Sequence, residues 1–97
     1  MQQAVRELMK LGSLPSSASP DISLVEAIEA ALKNVQTPVS DEDARALVAL
    51  FGPDDCFGLA WTLLHLVETA PGWPLLDTLV DPENEWVLRL KQRAMRI

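Results

Sequence analysis

A chain of 97 residues is the size of one domain, and an apolar share of 48% supports a folded core rather than disorder. A formal charge of −6 sets the chain against DNA, RNA and anionic membranes as main partners through long-range repulsion. Cys56 and His65 are the only residues of their kinds, which excludes an internal disulfide and a four-ligand structural zinc site.

Residues 1–12 read as a first helix. Val5, Leu8, Met9 and Leu11 fall on one face, and Gly12 is placed to end the helix with a positive φ. Met1 to Leu11 mixes Gln, Arg, Glu and Lys, unlike a secretory leader, so a reducing, cytoplasmic setting is expected. Residues 13–20 are rich in Ser and Pro and read as a mobile connection. The main core then runs over 21–97, completing a single domain.

The second helix is expected to open on a capping box, with Ser23 as cap and Glu26 reaching back. Its apolar stripe is Leu24, Val25, Ile28, Ala31, Leu32 and Val35, and Thr37-Pro38 ends it. A third helix starts at Ser40. Asp41, Glu42 and Asp43 in its first turn oppose the positive end of the helix dipole, which accounts for them without a metal. Ala44, Leu47, Val48 and Phe51 face inward, and Gly52-Pro53 stops the helix.

Asp54 or Asp55 is expected to cap a fourth helix over Cys56–Val67, apolar on nearly every side and therefore enclosed. Its longest apolar run, Phe57 to Leu64, falls short of the ~20 residues that span a bilayer. On this reading Trp61 is core, and Gly58 lies mid-helix where a neighbouring helix approaches closely. Ala70 to Pro74 forms a turn, and Leu75–Val80 a short helix. Asp81-Pro82 opens the last helix, with Trp86, Val87, Leu90, Ala94 and Ile97 as its stripe. No segment alternates as a strand does. The expected fold is an all-α bundle of about five to six helices around a central buried one.

The layout pairing Ser40–Phe51 with Asp54–Thr69, together with Asp81, Pro82 and Val87, resembles the short variety of HEAT-like helical repeat. Leu88 stands where such repeats often carry Arg. The resemblance implies two helical hairpins and a protein-binding scaffold, of the kind seen among small bacterial immunity proteins that block toxins.

Catalytic groupings are absent from the pattern. Nine residues on one helix would separate Cys56 from His65 by ~13.5 Å along the axis and place them on opposite sides. Asp54, Asp55, Glu68 and His65 are the acid or base groups an enzyme would have to use. No Gly-rich phosphate loop occurs, and no cofactor is expected. Asp55, Gly58, Thr62, His65 and Thr69 instead recur at spacings of three and four, a polar strip suited to a partner. Trp73, in its Pro-Gly turn, is a further contact candidate.

Charge is segregated: Asp41 to Glu85 holds ten acids and one base, Arg45, whereas the last ten residues hold four bases and no acid. A basic protein partner is thus attracted to the middle of the chain. The leading expectation is a non-catalytic interaction module with Asp55, Thr62, His65, Thr69 and Trp73 as contact residues. The second is a homo-oligomer joined through Trp73, Leu75, Leu76, Leu79 and Val80.

Overall fold

Helix starts and stops set this architecture, and three of the five α-helices open on a side-chain cap. The computed structural model describes residues 1–18 and 21–95. These form α1 (Gln3–Leu11), α2 (Ile22–Asn34), α3 (Asp41–Val48), α4 (Leu59–Glu68) and α5 (Glu85–Ala94), with one 3-10 turn over Leu76–Thr78. Among the described residues there is no strand, and the chain is an all-α bundle. No described helix is long and apolar enough to cross a membrane.

Gly12 ends α1 at φ +89, with its N–H donating to the Leu8 carbonyl, as expected. The start of α2 differs from expectation. Asp21, not Ser23, is the cap, and its carboxylate accepts from the Leu24 N–H at 3.1 Å. Asp caps as well as Ser does, and starting earlier adds a helical bond from Val25 N–H to the Asp21 carbonyl. α3 opens on a capping box that sequence reading missed. The Asp43 N–H donates to the Ser40 hydroxyl, and the Asp43 carboxylate accepts from the Ser40 N–H.

The fourth helix begins later than expected. Cys56, Phe57 and Gly58 all have positive φ (45°, 56° and 88°) and turn the chain before Leu59. Gly58 is therefore the N-cap of α4, and a Cβ there would meet no atom within 4 Å. The expected close approach of a neighbouring helix does not exist, and alanine at this position would strain the backbone instead. α5 starts at Glu85 rather than at Asp81-Pro82. Asn84 is the better cap because it works at both ends. Its Oδ1 accepts from the Trp86 and Val87 N–H groups, and its amide donates to the Phe51 carbonyl at 3.0 Å.

The 13–20 connection is tied down rather than loose over its described part. Leu14 is buried and its N–H donates to the Leu50 carbonyl at 2.9 Å. Ser17 donates to the Asp54 carboxylate through both N–H and hydroxyl. Ser19 and Pro20, like Arg96 and the stripe residue Ile97, lie outside the described residues.

α1 packs on α2 and α3, and α4 packs on α2, α3 and α5. Val5, Leu8, Ile28, Leu47, Leu63, Leu64 and Leu90 fill the centre. The Cα extents of 37 × 27 × 17 Å make the molecule about two helix layers thick. α4 buries Leu59, Ala60, Leu63, Leu64, Leu66 and Val67, yet Trp61, Thr62 and His65 reach solvent. The expectation of a fully enclosed helix with a core Trp61 is thus corrected, since that side chain is 39% exposed.

Candidate protein-binding face on α4 and α5

The predicted strip divides in two. Thr62 and His65 share the exposed side of α4, and Asp55 is exposed in the turn before the helix. Thr69 does not belong with them. It is half-buried, and its hydroxyl accepts from the Val39 N–H at 3.0 Å while donating to the Leu66 carbonyl at 2.7 Å. Both hydroxyl functions are spent on holding the α2–α3 connection against the end of α4. Trp73 is half-buried and packs against the core.

What the strip lacked is Trp61, four residues before His65 and so beside it on the helix. Trp61 meets Trp86 edge-on, with centroids 4.9 Å apart and planes at 89°. Trp86 in turn stacks on buried Phe51 at 6.1 Å and donates its indole N–H to the Asp54 carbonyl at 3.1 Å. His65 continues the series at 6.5 Å from Trp61. An aromatic ladder therefore climbs from the core to the surface. The Arg89 guanidinium lies against both tryptophans, 5.3 Å and 4.9 Å from their ring centroids. The Trp61–His65 spacing could have placed Trp61 on this face from sequence. Arg89 could not be found that way, because it comes from another helix.

Ion pairs fix the rim. Arg89 donates to Glu85 at 2.9 Å, and Arg93 grips Glu68 through two bonds of 2.7 and 2.8 Å. The hydrogen bond to Glu68 raises the Arg93 pKa further above its ordinary value. His65 Nδ1 lies 3.6 Å from the same Glu68. Between these groups runs a groove of about 230 Å³ lined by Trp61, Arg89, Gln92 and Arg93.

Of the acid and base groups named from the sequence, Asp54 and Glu68 are held in hydrogen bonds, whereas Asp55 and His65 are exposed. Asp54 takes donors from the Cys56 backbone, Ser17 and Ser16, which hold its carboxyl below the usual range, the Cys56 bond contributing most. Cys56 is fully buried in the turn before α4, so the one-helix geometry expected for it with His65 does not hold. Burial, followed by the charges of Asp54 and Asp55, pushes its thiol pKa up and keeps it protonated. Among the described residues, no group of three or more His, Cys, Asp or Glu could hold a metal ion.

Phe57 lies in the turn just before α4. It is 57% exposed, at φ +56°, where a bulky side chain is disfavoured. It precedes the N-cap Gly58, where an apolar residue often packs on the fourth helical position, but that position is Thr62. Phe57→Asn is expected to raise stability by about 0.5–1 kcal/mol, because Asn tolerates the left-handed region. A thermal melt checks this. A lowered melting temperature would mean that the ring supports the fold after all.

No family model matches the chain, and neither a curated protein nor a solved structure matches it.

Proposed function

We propose that the chain is a non-catalytic protein-binding module that meets its partner through the α4–α5 face. The ladder Phe51–Trp86–Trp61–His65 with Arg89 packed on it carries this reading. Trp and Arg are the residue types enriched at interface hot spots. Here they are held by packing and ion pairs before any partner arrives, so little side-chain freedom remains to be lost on binding. Leu88 on α5 and Phe57 in the turn before α4 are further exposed apolar side chains, at 41% and 57%. The small size, helical make-up and net acidity agree with a toxin-neutralising immunity protein working in the cytoplasm, the particular role we favour.

Affinity capture from source cells, run in parallel with wild type and Trp61→Ala, tests the reading. A protein held by the wild type should bind the variant at least about 30-fold more weakly, the loss expected for a hot-spot tryptophan. Equal recovery, or no protein recovered by the wild type, would overturn the proposal.

A second reading, a homo-oligomer, draws on Leu76 and Val80, which are 53% and 73% exposed. The other members of that apolar segment serve the fold, with Leu75 and Leu79 buried and Trp73 packed on the core. Light scattering across a concentration series decides it, since a constant monomer mass disposes of self-association.

A further inference from the structure

We infer that residues 71–83, between α4 and α5, form a strap that opens as one unit while the rest of the domain stays folded, and that two clasps on α3 set how often it opens. The strap holds no α-helix, only the 3-10 turn over Leu76–Thr78. Of its residues only Leu75 and Leu79 are buried, with Trp73 and Thr78 half-buried, whereas Leu76, Asp77 and Val80 face outward. Two leucines and part of a tryptophan thus hold the strap down, against the far larger set of buried side chains that joins the helices. A segment with so few buried contacts opens at a lower free energy than the whole domain unfolds.

Backbone bonding points the same way. Trp73 N–H donates to the Ala70 carbonyl, Thr78 N–H to Leu75 and Leu79 N–H to Leu76. Among the described residues, no backbone bond joins the strap to the backbone of a helix. Side chains of α3 fasten it instead. The Asp41 carboxylate accepts from the Gly72 N–H at 2.7 Å, and Arg45 donates to Asp77 through Nε at 3.0 Å and Nη2 at 3.4 Å. A Cβ on Gly72 would run into the Asp41 carboxylate, so glycine is what lets that clasp close. Asp41 and Arg45 stand one turn apart, so both clasps hang on one face of α3. Arg45 and Asp77 are 47% and 65% exposed, and an exposed ion pair adds little stability and is screened by salt.

The strap is also loosely seated. A cleft of about 190 Å³ is lined by Thr78, Val80 and Asp81 on the strap side and by Val48, Phe51 and Val87 beneath. Side chains bordering such a gap lack part of their packing contacts. The two ends are held, by the Trp73–Ala70 bond and by the Asn84 amide on the Phe51 carbonyl. Swinging out between them bares Leu75 and Leu79 together with Val48, Phe51 and Val87, an apolar surface that the closed chain hides. Phe51 is the inner end of the aromatic ladder, so the opening reaches the packing behind Trp86.

Amide hydrogen exchange of the full chain, followed by NMR where the rate reports the open fraction, gives the test. The reporters are Thr78 and Leu79, bonded within the strap, and Leu63 and Leu64 inside α4, whose amides report opening of the whole domain. After correction for intrinsic rates, the strap amides should exchange at least about 10-fold faster than those of α4. Arg45→Gln and Asp77→Asn break one clasp from either side. Each should speed the strap amides about 2- to 5-fold, and added salt should speed them more in the wild type than in either variant. Ile28→Val trims a buried residue of α2 that belongs to neither clasp nor the cleft lining. It should speed the α4 amides at least about 2-fold and leave the strap amides unchanged. Strap amides as slow as those of α4, exchanging at unprotected rates, sped by Ile28→Val to the same extent, or indifferent to both clasp variants would each overturn the inference.

Discussion

Trp86→Ala is expected to remove about 3–5 kcal/mol of stability, a large share of the ~5–15 kcal/mol a domain of this size holds. The side chain is 3% exposed and makes contacts of several kinds at once. Its ring stacks on Phe51, receives the edge-on contact of Trp61 and carries the Arg89 guanidinium, and its N–H satisfies the Asp54 carbonyl. Truncation leaves a cavity under α4, an unpaired carbonyl and a Trp61 with nothing behind it. Trp86→Phe keeps an aromatic ring in the site but not the hydrogen bond, and should cost less, roughly 1–3 kcal/mol. Trp61→Ala loses a partly exposed ring with its contacts to Trp86, His65 and Arg89, so about 1–2 kcal/mol is expected. Urea unfolding of the three variants orders them. If Trp61→Ala proved as damaging as Trp86→Ala, Trp61 would belong to the core and the separation of binding from folding would collapse.

That ordering also explains what was legible in the sequence. Helix periodicity located all five helices, because Ile28, Ala31 and Leu32 or Trp86, Val87 and Leu90 must share a face to be buried. Starts were harder. Where two good caps lie close together, as Asp21 with Ser23 or Asp81 with Asn84, local pattern does not choose. In α5 the choice fell to Asn84 through its bond to the Phe51 carbonyl, a contact across 33 positions of chain. The delayed start of α4 had the same kind of cause. Asp54 looked like a cap, but its carboxylate is taken by Ser16, Ser17 and the Cys56 N–H, and the chain turns left-handed before the helix begins. Of the expected contact residues, Asp55, Thr62 and His65 are exposed, whereas Thr69 and Trp73 serve the fold. Hydrophobicity alone says bury Trp61, yet its side chain is 39% exposed. Its neighbours on the helix face, Thr62 and His65, said otherwise.

Gly52→Ala is the second substitution expected to do large damage, and the reason is steric rather than conformational. A Cβ on Gly52 would fall inside contact distance of the Leu14 carbonyl oxygen, 2.9 Å from its carbon and 3.3 Å from the Leu14 Cβ. Leu14 cannot simply retreat, because its side chain is buried and its N–H is bonded to the Leu50 carbonyl. Overpacking against backbone costs at least the upper part of the usual ~1–3 kcal/mol, and each kcal/mol lowers the melting temperature of a domain this size by roughly 4–8 °C. Gly58→Ala is the control. Its Cβ would meet nothing within 4 Å, so only the left-handed backbone at φ +88 opposes it, at roughly 1–2 kcal/mol. The two melts should therefore differ, with Gly52→Ala the lower. The consequence reaches the proposed binding face as well. The Leu14–Gly52 seat brings Ser17 to Asp54, and Asp54 fixes the turn at Cys56 that leads into α4 and Trp61. Loosening the seat should shift the fluorescence of the tryptophans at temperatures where the helices are still formed. If Gly52→Ala melted with the wild type, residues 13–18 would not be seated on the core, and this route from the connection to Trp61 would be broken.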